Sequence, residues 1–178
     1  MTENHPTLLP IVQMVLQQYR LPWFGTHGVS HWARVLENGR RLAPLTGADL
    51  RVVMLFAVLH DARRTNEGVD YRHGPDGAAY LLTLRESLAD LNDEQFHRLH
   101  TAIAGHTLGI TEADITLQTC WDADRLDLGR VEISPDPDRL CTPAARLPEM
   151  LVWADRRARQ RHIPDLVFTE WNLTSPIG

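Results

Sequence analysis

An all-α fold in one domain is what this sequence predicts, on three observations. Apolar residues recur at spacings of three and four rather than two. Several of those runs are preceded by helix-start signals, and no stretch alternates apolar with polar residues as a half-buried strand does. At 178 residues and 43% hydrophobic composition, residues 1–178 make one domain large enough for a sizeable core.

Taken in order, Leu8 to Tyr19 reads as a first helix that stops before Pro22. Trp23-Phe24-Gly25 is a loop. A second helix runs from about Gly28 to Ala43 and is ended by Pro44. Residues 52–59 are apolar on every side, as in a helix buried all round. So short a run also admits a strand, but Thr46-Gly47-Ala48-Asp49 ahead of it supplies a helix start with a capping side chain. This third helix covers about Ala48 to Ala62 and carries His60 and Asp61 at its end. Thr65 to Pro75 is a polar loop without periodicity. Helices resume at about Asp76–Ala89 and Asp93–Gly105, the latter opened by Asn92 with Gln95 three residues on, a capping-box pattern. Thr111 to Val131 is helical at least from Asp114. Ser134-Pro135-Asp136-Pro137-Asp138 breaks the chain. A last helix spans about Pro143 to Arg161, and Phe168 and Trp171 pack back on the core.

Composition excludes several classes of function. A net charge of −5 argues against general nucleic-acid binding. All 18 basic residues are arginine, a side chain suited to bidentate phosphate recognition. Arg156, Arg157, Arg159 and Arg161 read as a solvated last turn rather than a nucleic-acid patch. Cys120 and Cys141 have no metal or redox spacing, so a reducing compartment is expected. No signal peptide or membrane span is visible, and a cytoplasmic protein is the expectation.

The chemistry concentrates at one level of the fold. A short connection makes the second and third helices antiparallel neighbours. His31 and His60 each lie ~18 Å from that connection, at about 1.5 Å per residue, and so stand level across the hairpin. Leu117, Trp121, Asp124, Leu128 and Val131 are spaced four, three, four and three, so Asp124 interrupts an apolar stripe. Asp122 lies about 200° away at 100° per residue, facing solvent, and Asp127 lies on the flank. His31, His60, Asp61 and Asp124 then offer two imidazoles and two carboxylates, an N/O donor set for Mn²⁺, Fe²⁺, Ni²⁺, Co²⁺ or Mg²⁺. Each alone has a plain packing role available to it; together they demand a common partner. His27 sits four residues before His31, but Gly25 and Gly28 assign it to the preceding loop.

His31-Trp32-Ala33-Arg34-Val35, Leu59-His60-Asp61 and Asp122-Ala123-Asp124-Arg125-Leu126-Asp127 resemble the three signatures of the HD-domain superfamily of metal-dependent phosphohydrolases. The resemblance covers roughly residues 25–131, in the expected order. It implies a helical bundle of the HD-domain type, with His31, His60, Asp61 and Asp124 as metal ligands. Some members hold a second metal with further histidines. Here His73, in the loop before a helix, and His106, on the inward face with Phe96, Leu99 and Ile103, occupy suitable places for a second metal or for phosphate. The implied activity is hydrolysis of a phosphate ester, with a nucleotide or similar small metabolite as substrate and one or two divalent ions as cofactor. Asp61, Glu67 and Asp70 are candidates to orient or deprotonate water. Arg63, Arg64 and Arg125 are candidates to hold phosphoryl oxygens. Two other expectations follow from the same resemblance: an HD-fold di-iron oxygenase, whose ligand order is similar, and a non-catalytic nucleotide-binding regulatory domain.

Overall fold

The computed structural model describes residues 6–174, and every regular element among them is helical. In chain order these are α1 (Leu9–Leu16), α2 (Val29–Thr46), α3 (Leu50–Leu59), α4 (His73–Thr83), α5 (Asp93–Gly105), α6 (Ile115–Arg125), α7 (Pro148–Arg159) and α8 (Leu166–Thr169). Short 3₁₀ turns lie at Glu86–Leu88, Leu128–Val131 and Pro137–Arg139. No helix is long and apolar enough to cross a membrane among the described residues.

α3 is the axis of the bundle. Every residue from Arg51 to Leu59 is buried, and α1, α2, α5 and α6 pack around it. The all-round apolar pattern is therefore a helix with neighbours on every side. Its start is held by Asp49, whose Oδ1 accepts from Val52 N at 3.2 Å while Oδ2 accepts from Gln95 Nε2 at 2.8 Å. Gln95 also belongs to the capping box of α5, where Asn92 and Gln95 satisfy each other's backbone N–H groups. One side chain thus ties together the starts of two site-bearing helices.

α2 and α3 form the expected antiparallel hairpin. They pack closely at Gly39, where a Cβ would stand 2.4 Å from Val53 Cγ1. Pro44 does not end α2, which runs to Thr46 and closes on Gly47 in the left-handed region at φ 77°. In a last turn the proline costs one hydrogen bond, and the turn survives.

Other boundaries move for identifiable reasons. α4 starts at His73, not Asp76, and ends at Thr83. α6 is shorter than the run Thr111–Val131, because after Arg125 the chain tightens into the 3₁₀ turn Leu128–Val131. α7 begins at Pro148 rather than Pro143, and the residues before it form a loop lying against α6. That loop overturns one expectation. Asp122 faces protein, not solvent, and accepts from Cys141 N, Thr142 N and Thr142 Oγ1 at 2.6, 2.8 and 2.7 Å. A helical-phase argument shows which face Asp122 occupies, but not that a later loop covers it.

Candidate metal centre

Four buried imidazoles converge where α2, α3, α4 and α5 meet. In each, Nδ1 is committed to an oxygen acceptor. His31 Nδ1 donates to Asp127 Oδ2 at 2.7 Å, His60 Nδ1 to Phe56 O at 3.1 Å and His106 Nδ1 to Ile103 O at 2.7 Å. His73 Nδ1 donates to Asp70 O. Backbone carbonyls only accept, as does the Asp127 carboxylate paired with Arg34, so these contacts assign the Nδ1–H tautomer and turn every Nε2 inward. His31 Nε2 then faces His60 Nε2 at 3.0 Å, and His73 Nε2 faces His106 Nε2 at 2.9 Å.

Two carboxylates complete the arrangement. Asp124 Oδ1 lies 3.5 Å from His31 Nε2 and 3.7 Å from His60 Nε2. That oxygen is buried and has no hydrogen-bond partner. Asp61 stands between the imidazole pairs. Its Oδ2 is 3.6 Å from His31 Nε2 and 3.7 Å from His60 Nε2, while Oδ1 is 3.2 Å from His73 Nε2 and 3.7 Å from His106 Nε2. The donors form two trios that share no residue, His31–His60–Asp124 and Asp61–His73–His106, and a third, His27–His31–Asp61, that overlaps both, each with its ligand atoms within 4.8 Å of one another.

Burial acts first on every group here, and the neighbours decide the outcome. Burial, reinforced for His31 by Arg130 and His60, holds His31, His60 and His73 below the usual histidine range. Burial pushes Asp61 up, but the surrounding histidines outweigh it and keep the carboxyl well below its usual value. Asp124 is likewise held down against burial, by His60 and Arg130 first. His106 moves the other way: Asp61 and Asp124 overcome burial and raise it. Of the four rings His106 is thus the one that favours a second proton, whereas His31 and His60 resist one, and with both in the Nδ1–H form their Nε2 lone pairs face each other.

A divalent ion satisfies these groups together. Two ligands at right angles around an ion with bonds of about 2.1 Å stand about 3.0 Å apart, and tetrahedral ones about 3.4 Å. The separations of 2.9–3.7 Å fall around those values. The orphaned Asp124 oxygen is the group most in need of such a partner. The buried His and Asp side chains therefore fit a metal ion by both donor type and spacing.

No family model matches the chain, and neither does any curated protein. Among solved structures it is similar to a predicted HD superfamily hydrolase from an uncultured Thermotogales bacterium. The TM-score is 0.63 at 28% identity, over 86% of each chain. This is an HD-superfamily fold.

Within the HD frame the remaining candidates separate. A cleft of about 450 Å³ opens over the trios, its wall including His27, Asp61, Arg64, Glu67 and Arg130. Arg64 reaches it, with Nη2 held by Gly68 O and Nη1 3.7 Å from Asp61 Oδ1. Arg63 does not: it donates to Gln18 Oε1 and lies over the Tyr80 ring. Asp70 uses its carboxylate to hold Thr65 and the Arg72 N–H, so it organises the loop and lies off the cleft wall. Arg125 lines the cleft, but its guanidinium is engaged elsewhere. It braces two loops by donating to Ile110 O and Arg139 O at 2.7 and 2.8 Å.

Three residues belong here that sequence reasoning placed elsewhere or passed over. His27 is not confined to its loop, since its Nδ1 lies 3.0 Å from Asp61 Oδ2. Its spacing from His31 was the available signal. Asp127 is buried rather than on the flank. It accepts from Arg34 Nε and Nη2 at 2.7 and 3.0 Å as well as from His31, and Arg34 Nη1 donates onward to His162 O at 2.8 Å. Extrapolating 100° per residue fails past Arg125, where α6 stops. Arg130 stands on that same 3₁₀ turn, with Nη2 3.8 Å from Asp124 Oδ1, and no motif pointed to it.

Proposed function

We propose that this chain is a divalent-metal-dependent phosphohydrolase that releases phosphate from a small phosphorylated metabolite such as a nucleotide. The observation that carries the reading is the pairing of inward Nε2 lone pairs beside an orphaned carboxylate oxygen, an arrangement that a divalent cation would relieve at once. His31, His60 and Asp124 would hold one ion and His73 and His106 a second, with Asp61 shared; Mn²⁺, Fe²⁺, Ni²⁺, Co²⁺ and Mg²⁺ all suit the donor set. The metal would supply Lewis acidity, making water more acidic and polarising a phosphoryl oxygen. Soluble-enzyme chemistry of this kind needs no membrane and no nucleic-acid scaffold.

The protein groups around the trios have distinct tasks. Arg64 and Arg130 flank the cleft with guanidiniums already fixed by Gly68 O and Asp127 O, ready to neutralise charge on a phosphoryl group. Glu67 stands at the rim, placed to take the proton from the attacking water. Water oxygen bonds to phosphorus as the ester P–O bond breaks. The proton lost by water ends on the leaving oxygen, and the products are an alcohol and inorganic phosphate.

A second reading, an HD-fold di-iron oxygenase, is favoured by the sharing of Asp61 between two imidazole pairs. The two arginines at the cleft favour the phosphohydrolase. A non-catalytic nucleotide sensor is disfavoured by a donor set with no member missing. Elemental analysis of chelator-free protein, followed by a phosphate-release screen over nucleotides with each metal, tests the assignment. Phosphate release supports it. Bound iron with O₂ consumption and no phosphate release overturns it in favour of the oxygenase.

A further inference from the structure

A second cavity, of about 640 Å³, opens beside the cleft and shares His106, Thr107, Arg125 and Leu128 with it. The two spaces thus adjoin along these residues, and together they are large for a phosphate ion alone. The second cavity differs in chemistry from the first. Its apolar lining is Leu128, Ile133 and Leu140, with Ile133 leaving 53% of its surface open. Its cations are weak candidates for a phosphate. Arg125 is spent on Ile110 O, Arg139 O and Cys141 Sγ, and Arg139 faces Asp136 at 3.7 Å. The Asp136 carboxylate repels a second phosphoryl group there. A ligand spanning both spaces therefore carries its charge at the trios and an uncharged, apolar body at Ile133.

We infer that the substrate is a phosphate ester of a bulky, uncharged, largely apolar alcohol, whose leaving group is selected by the cavity formed by Leu128, Ile133 and Leu140. This rests on the phosphohydrolase reading for the reaction, but the preference for an apolar body concerns binding alone. An aromatic alcohol meets the description in full, and a nucleoside meets it only through the flat face of its base. A polyphosphate and a short hydrophilic ester do not.

Phosphonates, which cannot be hydrolysed at the P–C bond, separate the two questions. The metal-reconstituted full chain is titrated calorimetrically with phenylphosphonate and with methylphosphonate. The expected result is tighter binding of phenylphosphonate by roughly tenfold, the discrimination an apolar pocket achieves over a ligand that lacks the group. Ile133→Trp, at a largely open position, fills the cavity and brings that ratio to about one, with metal content and melting temperature reporting an intact fold. Equal binding in the wild type, or a ratio untouched by Ile133→Trp, overturns the inference. The two sources are then told apart by kcat/KM for phenyl phosphate against nucleoside monophosphates. If the phosphonate preference holds while no ester yields phosphate, the cavity assignment stands and the hydrolase reading is what fails.

Discussion

Asp124 and Asp122 sit two positions apart on α6 and do opposite work. Asp124 has a buried oxygen without a partner, whereas Asp122 accepts three hydrogen bonds from the loop after Leu140. Asp124→Ala should remove the ion of the His31–His60 trio and leave the fold in place. Asp122→Ala should keep the metal and lower stability by about 1–3 kcal/mol, the cost of stranding buried donors. Metal analysis and urea unfolding of both variants check this, and metal loss from Asp122→Ala would refute the assignment. Asp127 acts through His31, whose ring it orients while Arg34 fixes the carboxylate itself. Asp127→Asn keeps the shape but weakens that acceptor, and metal affinity should fall ~10–100-fold, as for other outer partners of ligating histidines. A competition titration with a chelating dye measures it. Unchanged affinity would leave Asp127 with packing alone.

At the level of elements, the hairpin of α2 and α3 sets the spacing of His31 and His60, and Gly39 sets the spacing of the hairpin. Gly39→Ala places a methyl group within 2.4 Å of Val53 Cγ1, so the helices must part or bend. Overpacking of this kind costs about 1–3 kcal/mol, and bound metal should dissociate faster because the His31–His60 pair is spread. Stability and chelator-driven release rates test both halves. The hairpin is also where the sequence was most legible. The level placement of the two histidines, the Asn92–Gln95 box and the Asp49 cap follow from spacing within single helices or across one short turn. What stayed hidden depends on segments far apart in the chain. The covering of Asp122, the Arg34–Asp127 pair and the arrival of Arg130 all come from the turns and loops after α6, where no period extends. His27 lay in a glycine-flanked loop whose path no helical phase describes. The apportioning of arginines between Arg63, which points away, and Arg64, which points in, is set by a turn that ends α3 at Leu59.

For the whole molecule, the buried imidazoles make metal-free stability depend on pH. His31, His60 and His73 have folded pKa values below the ordinary value of about 6.5, so below that pH the unfolded chain binds protons that the native one refuses. Their contribution is complete above about pH 6.5 and is lost as pH falls. His106, raised, contributes in the opposite sense. Three against one, the melting temperature of chelator-treated protein should drop between about pH 7 and pH 5.5, and metal should shift the drop to lower pH by holding the rings unprotonated. A flat profile over that interval would show the rings to be accessible to protons in the native state. Arg34 carries a different consequence. Its guanidinium joins Asp127, and through it His31, to the carbonyl of His162, 128 residues further along the chain. The peptide bond after Arg161 is thereby fastened to the interior, so its susceptibility to trypsin becomes a gauge of metal occupancy. Chelation should hasten cutting there while cutting after the exposed Arg20 keeps its rate; equal acceleration at both would mean global loosening, and none at either would mean the carboxyl-terminal segment holds its place without the ions.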